Sequence, residues 1–229
     1  MVSMEHVLDN PIWHALSTRL EHLNKGSKRV KYFDEAVSPF VTMDFWDEDD
    51  LKEMEDILPA DRSFYVLIPR VVNVPASFDQ LYTTPIYQMV CEGFQPQWLP
   101  EQQVLEMGEG DVQEMIELTA LTRPGPFSSQ TMAFGRYIGI REGERLAAMA
   151  GERMKVPGYT EVSAVCTHPD FLGRGYASHL MSILCTEIVE RGETPFLHVR
   201  ADNPRAIRAY ERLGFRISRD VFFVIIKRK

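Results

Sequence analysis

Apolar residues at Val7, Leu8, Ile12, Leu16 and Leu20 recur at spacings of mostly four, which predicts a helix over about 4–24. Two strand-like runs follow, Phe40 to Phe45 and Phe64 to Ile68. Between them, residues 44–56 place eight acids and one lysine at helical spacing, the pattern of a solvated helix face. The stretch Phe94-Gln-Pro-Gln-Trp-Leu-Pro100 has no period and two prolines, so it marks a boundary between an N-terminal α/β region, 1–95, and a second unit, 102–229. Beyond it, Val112, Met115, Ile116 and Leu118 predict a helix over 111–121, and Thr122-Arg-Pro-Gly-Pro-Phe127 a loop. Strands are expected at 137–140 and 145–149, across the turn Arg141-Glu-Gly-Glu144, and at 160–167, ended by His168-Pro169. A helix over 175–191 shows Ala177, Leu180, Met181, Leu184 and Ile188 on one face and stops at Gly192. After a strand at 196–200, Asn203 caps a helix that begins with Pro204 and ends at Gly214. Two last strands, 215–218 and 221–226, are broken near Arg219-Asp220. Strands, helix, strand, helix, strands in that order indicate a mixed α/β (α+β) fold: a sheet with helices packed against it.

Composition narrows the function classes. With 229 residues and 45% apolar content, the chain can bury a sizeable core and is neither disordered nor fibrous. The net charge is −8, and residues 1–95 hold 16 acids and 8 bases while 96–229 hold 17 of each. Such acidity argues against nucleic-acid binding, which depends on neutralising phosphates with Lys and Arg. The acid-rich first part favours a cationic partner, although solubility explains it as well. Cys91, Cys166 and Cys185 are too widely spaced for a disulfide framework or a metal site, and reduced thiols are expected. The N-terminus lacks a signal pattern and the longest apolar run, Val221 to Ile226, is far short of a membrane span, so a cytoplasmic protein is expected.

The informative segment runs from Thr160 through Val165-Cys166-Thr167 to Gly173-Arg-Gly-Tyr-Ala-Ser178. A strand enters a tight glycine turn that opens into an amphipathic helix. The first amides of that helix lack partners and, with the helix dipole, form an anion site suited to a phosphate or diphosphate. The turn fits neither of two nucleotide motifs: it lacks the Walker lysine, and Ser178 stands where a dinucleotide fingerprint needs Gly or Ala. Taken alone, it could be a simple connector. Together with Asn203-Pro-Arg-Ala-Ile-Arg-Ala-Tyr-Glu-Arg-Leu-Gly-Phe215, however, it resembles the GNAT superfamily of acyl-CoA-dependent N-acetyltransferases over about 102–229. Gly175-Tyr-Ala177 matches the Gly-x-Ala part of that family's turn. Asn203, Ala206, Tyr210, Gly214 and Phe215 match its second motif. One position departs: Leu172 stands where the family carries Gln or Arg, and Arg174 is the side chain able to compensate.

The resemblance implies a largely antiparallel central sheet flanked by helices, with residues 1–95 as an extension, and transfer of an acetyl group from acetyl-CoA to an amine. It places the diphosphate on the amides of Gly173, Arg174, Gly175, Tyr176, Ala177 and Ser178, and the pantetheine arm along Val165, Cys166 and Thr167. Asn203 is a cofactor contact in the family pattern, and equally an N-cap. Tyr210 is the group that hydrogen-bonds or protonates the departing thiolate, against a packing role beside Ile207 and Leu213. Glu161, on the strand before the turn, is the expected base; alternation puts it on one side with Ser163, Val165 and Thr167. Its competing role is a surface carboxylate paired with Arg153. His198 is a second candidate base or a satisfied strand histidine, and His168 a turn residue. Nothing marks Cys166 as an activated nucleophile, so direct attack of the amine on the thioester is the simpler route. The Pro124-Gly-Pro126 loop, with Phe127, falls where the family often builds its acceptor wall. The acceptor is a small-molecule amine or a peptide amino terminus, no metal is implied, and a homodimer is compatible with the pattern. A CoA-binding sensor without catalysis is the alternative, separated from an enzyme by turnover.

Overall fold

The structure, a computed structural model, describes residues 6–69 and 74–229. In chain order these form α1 (Pro11–Ser17), β1 (Val30–Tyr32), β2 (Val41–Met43), α2 (Glu48–Ile57), β3 (Ser63–Ile68), β4 (Phe78–Cys91), β5 (Leu105–Glu106) and α3 (Val112–Thr122). There follow β6 (Tyr137–Glu142), β7 (Arg145–Val156), β8 (Tyr159–Thr167), α4 (Tyr176–Glu190), β9 (Thr194–Arg200), α5 (Pro204–Arg212) and β10 (Phe215–Arg228). Eight strands make one sheet in the order β3-β10-β4-β9-β8-β7-β6-β5, antiparallel throughout except for the β8–β9 pair. β1 and β2 form a separate two-stranded ribbon.

Alternation along the strands sorts the helices onto two faces. On β9, Leu197 and Val199 pack into the cluster built by α4, while Phe196, between them and the strand start, packs with α1. On β7, Ala148 and Ala150 face α4 and Met149 faces α3. α4 therefore lies on one face of the sheet, with α5 beside it, and α1 and α3 lie on the other. No helix among the described residues is long and apolar enough to cross a membrane.

Several elements differ from the sequence expectation. The helix expected over 4–24 is α1 alone, flanked by 3-10 turns at Val7–Asp9 and Glu21–Leu23; residues 4 and 5 lie outside the described residues. Asn10 Oδ1 accepts from the Trp13 amide at 3.2 Å and Pro11 occupies the first helical position, which starts the helix at Pro11. The boundary near 94–100 separates no two sheets. β4, which the pattern does not show, lies between β10 and β9, so the N-terminal region completes the sheet of the rest of the chain. Pro85 hides this strand, because proline removes a ladder donor. It is tolerated because β9 pairs with β4 only from Ile86 to Val90; at Pro85 just the carbonyl is used, accepting from the Ala201 amide at 3.3 Å. The two final strands are one, β10, whose break is absorbed by a register shift between Ile217 and Arg219. The acidic run does form the solvated helix α2, with Asp47 capping it.

The glycine that ends the second motif has a double reason to be glycine. Gly214 sits at φ +96°, and a Cβ there would overlap the Gly93 carbonyl. Gly214→Ala is expected to cost about 2 kcal/mol or more, the sum of a disfavoured dihedral and backbone overlap. Urea denaturation of the two proteins measures it; a change below about 0.5 kcal/mol would show that the α5–β10 corner relaxes freely.

Candidate active site

A parallel pair that stops early opens the site. β8 and β9 are paired only from Tyr159–Glu161 against Thr194–Phe196, after which the strands diverge and leave backbone groups of both unpaired. A bulge on β8 accompanies the divergence. Met149 pairs with Cys166 and Gly151 with Ser163, so Ala164 and Val165 together oppose Ala150, and Ala164 takes φ +52°. The bulge reverses the alternation expected along this strand. Val162 and Val165 share the α4 face, whereas Ala164 and Cys166 pack on the α3 face. Glu161 and Ser163 therefore do not share a side with Val165 and Thr167.

The divergence leads into a cleft of about 930 Å3. One wall is the glycine turn. Gly173 and Gly175 take φ +83° and +81°, and Gly175 serves as N-cap of α4 with no side-chain cap. The first intrahelical bond runs from the His179 amide to the Gly175 carbonyl at 3.0 Å, leaving the amides of Tyr176, Ala177 and Ser178 without helical acceptors. Gly173 through Ser178 all line the cleft, as do Val165, Cys166 and Thr167. The structure thus brings every residue expected at a diphosphate and a pantetheine arm onto one surface, and an uncapped helix end beside a strand gap fits such a ligand. Leu172 is half exposed at the rim, and Arg174 leans toward Glu142 at 3.5 Å. Asn203 caps α5, its Oδ1 accepting from the Ala206 amide at 3.1 Å, and also borders the cleft.

Tyr210, on α5, lines the cleft while packing against Phe215. Burial pushes its hydroxyl up to about 12, with neighbouring Cys166 a lesser cause. It therefore keeps its proton at neutral pH and is a donor. Burial also pushes the Cys166 thiol up to about 11, the opposite of activation.

At the other end the expectation for Glu161 is corrected. It is fully buried, does not line the cleft, and is not a surface carboxylate either. Arg153 Nε and Nη2 donate to its two oxygens at 2.8 and 2.6 Å, and His198 Nδ1 donates to Oε1 at 2.7 Å. Burial alone would push this carboxyl up, but the Arg153 charge and hydrogen bonds, with His198 behind them, hold it down at about 2. So weak a base, turned away from the cleft, does not take a proton from an acceptor directly. His198 and Arg153 do face the cleft. The Gln88 amide donates both to the Leu8 carbonyl at 2.9 Å and to His198 Nε2 at 3.2 Å, which fixes the ring with Nδ1 protonated toward Glu161. His168 is a turn residue, as expected, accepting from the Asp170 amide at 3.2 Å.

The sequence pattern misses the N-terminal contribution to this end. Phe40, Tyr65, Leu67, Tyr82, Thr84 and Ile86 all border the cleft, and Gln88 on β4 orients His198 from behind. The Pro124-Gly-Pro126 loop does reach the cleft. Among the described residues, no group of three or more His, Cys, Asp or Glu is placed to hold a metal ion.

The chain is similar to several known proteins. A family model described as FR47-like protein matches residues 137–224. The chain is 40% identical over 65 residues to a mycothiol acetyltransferase of Corynebacterium aurimucosum, a match spanning 28% of this chain and 21% of that one. It is 36% identical over 97 residues to the [ribosomal protein bS18]-alanine N-acetyltransferase of Salmonella typhimurium, spanning 39% of this chain and 64% of that one. The solved structure of a GNAT-family protein from Novosphingobium aromaticivorans superposes at a TM-score of 0.90 and 34% identity, covering 98% of this chain and 100% of that one. Sharing sequence and fold with that protein from end to end, the chain belongs to the GNAT family of acetyltransferases.

Proposed function

We propose that the protein transfers an acetyl group from acetyl-CoA to a primary amine, on a small molecule or a peptide amino terminus, by direct attack within a ternary complex. The observation that carries this reading is the meeting of three features on one cleft: the uncapped α4 N-terminus, the gap between β8 and β9, and Tyr210. Two curated relatives with acetyltransferase names support the reaction class.

Acetyl-CoA supplies the acetyl group as a thioester. The amides of Tyr176, Ala177 and Ser178 and the α4 dipole hold its diphosphate, and the freed backbone of Val165 to Thr167 aligns the pantetheine arm as an added strand would. Tyr210 Oη donates a hydrogen bond to the sulfur as negative charge builds there. With the phenol near 12 and a free thiol near 8.5, complete proton transfer is uphill, so stabilisation by hydrogen bonding is the dominant contribution. His198 borders the acceptor end with both ring nitrogens engaged, Nδ1 donating to Glu161 and Nε2 accepting from Gln88, so it shapes the site, and the acceptor's proton passes to water in the open cleft.

Tyr210→Phe tests the central part. It is expected to leave acetyl-CoA affinity within about threefold and to lower kcat roughly 10- to 100-fold, the value of a hydrogen bond to a charged group. An unchanged kcat in CoA-release assays would make Tyr210 a packing residue. Calorimetric titration with acetyl-CoA, against adenosine diphosphate as control, tests the cofactor assignment. No binding by folded protein would remove the enzymatic reading.

A further inference from the structure

The walls of the cleft carry charge of one sign. Among the described residues that line it are six arginines, Arg123, Arg153, Arg174, Arg200, Arg205 and Arg212, and no aspartate or glutamate. Arg174, Arg205 and Arg212 stand at the glycine turn and α5, the diphosphate end. Arg200 is engaged by Asp202 at 2.5 Å and by the Tyr82 hydroxyl at 3.2 Å. The acids of 44–56, expected to favour a cationic partner, are absent from the cleft lining. Asp47 and Asp50 instead accept from Arg29 at 3.1 and 2.9 Å.

Arg153 is the buried cation at the acceptor end, with Arg123 exposed beside the Pro124-Gly-Pro126 loop. The Nε and Nη2 of Arg153 are used by Glu161, while Nη1 has no hydrogen-bond partner among the described residues, and the side chain opens onto the cleft, where a ligand can reach it. The guanidinium lies 5.1 Å from the Phe40 ring. From Phe40 a train of edge-to-face rings continues through Tyr65, Phe223 and Tyr82, with centroid separations of 6.2, 5.1 and 6.5 Å, and every one of these rings borders the cleft. The acceptor end thus offers an open charged donor beside an aromatic wall, and no lining carboxylate to hold a second ammonium group.

We propose that the acceptor carries a carboxylate of its own and an apolar body: a free α-amino acid with a large apolar or aromatic side chain. Its carboxylate accepts from Arg153 Nη1 and its side chain lies along the Phe40–Tyr65–Phe223–Tyr82 wall, which leaves the α-amine facing His198. Polyamines and lysine-like side chains are disfavoured, since their additional ammonium groups would face arginines. The proposal rests on the reading of this cleft as an acetyl-transfer site.

The test uses the full chain and compares amines with and without the carboxylate. By calorimetry, with CoA present and again without it, L-phenylalanine and L-leucine are expected to bind at least roughly tenfold more tightly than phenethylamine and isoamylamine, and spermidine not detectably. In CoA-release assays the same order is expected in kcat/KM. Arg153→Lys keeps a positive charge against Glu161 but removes the Nη1 fork, and is expected to bring the ratio close to one with acetyl-CoA affinity unchanged. If that variant does not fold, the wild-type selectivity decides. Equal binding within each pair, a preference for spermidine, or no binding of either amino acid overturns the proposal. Loss of acetyl-CoA binding by the wild type would instead sink the acetyl-transfer reading, so the two failures are told apart.

Discussion

Gly175→Glu is expected to abolish acetyl-CoA binding and leave the protein folded. A Cβ at this position meets only the Leu99 side chain, nearest at Cδ1 at 3.5 Å, an ordinary contact, so the side chain has room. The penalty for a non-glycine residue at φ +81° is about 1–2 kcal/mol, which a stability of about 5–15 kcal/mol can absorb. The new carboxylate would lie beside the free amides of residues 176–178, where it stabilises the helix end and competes directly with a diphosphate. Gly175→Ala is the control, because it carries the same backbone strain without the charge. Calorimetry should show binding weakened severalfold at most in the alanine variant and lost in the glutamate variant. Unchanged affinity in folded Gly175→Glu would refute the anion-site assignment.

Glu161→Gln is expected to be the most destabilising of the conservative changes considered. It removes the counter-charge of a buried guanidinium while keeping shape and one hydrogen bond to His198. Breaking a buried pair from one side costs about 3–5 kcal/mol, because the remaining charge is uncompensated. For a domain of this size that lowers Tm by roughly 6–20 °C. The pH dependence has a definite sign. The folded carboxyl is held at about 2 against an ordinary value of 4.5, so its contribution is complete above that ordinary value and is lost as pH falls from 4.5 toward 2. The wild type should therefore lose stability across that window more steeply than the glutamine variant. Parallel acid profiles would show that the pair contributes nothing. Replacing both partners, Arg153→Met with Glu161→Leu, should recover most of the loss if the pair is structural, since apolar residues of similar volume need no partners.

How much of this was legible in the chain follows from what each signal depends on. Local periodicity and capping are properties of neighbouring residues, so α3, α4, α5, β8 and β9 were predicted from Val112 to Phe215 with small errors at their ends. The glycine turn and the Asn203–Phe215 motif were legible because their residue types answer to local backbone demands, a positive φ at Gly175 and Gly214 and a cap at Asn203. The N-terminal part was harder. β4 contains a proline that is harmless only because β9 ends beside it, and α1 is cut short by Asn10 and Pro11 within a continuous apolar period.

The sequence by itself determined the family, the glycine turn with its uncapped helix end and the tyrosine that shares its cleft, since these are encoded in short segments whose chemistry is local. Only the tertiary structure decided what faces the acceptor. Glu161 looks like a base on its strand, but Arg153, eight residues earlier, and His198, 37 residues later, convert it into a buried counter-ion. The bulge at Ala164 turns the rest of β8 over, so counting from Glu161 assigns Val165 and Thr167 to the wrong face. Phe40, Tyr65 and Phe223 become one wall through strand pairing across most of the chain's length. Long-range pairings set which side chains meet, and the free energy of burying a charge depends on those meetings, so no local pattern carries it.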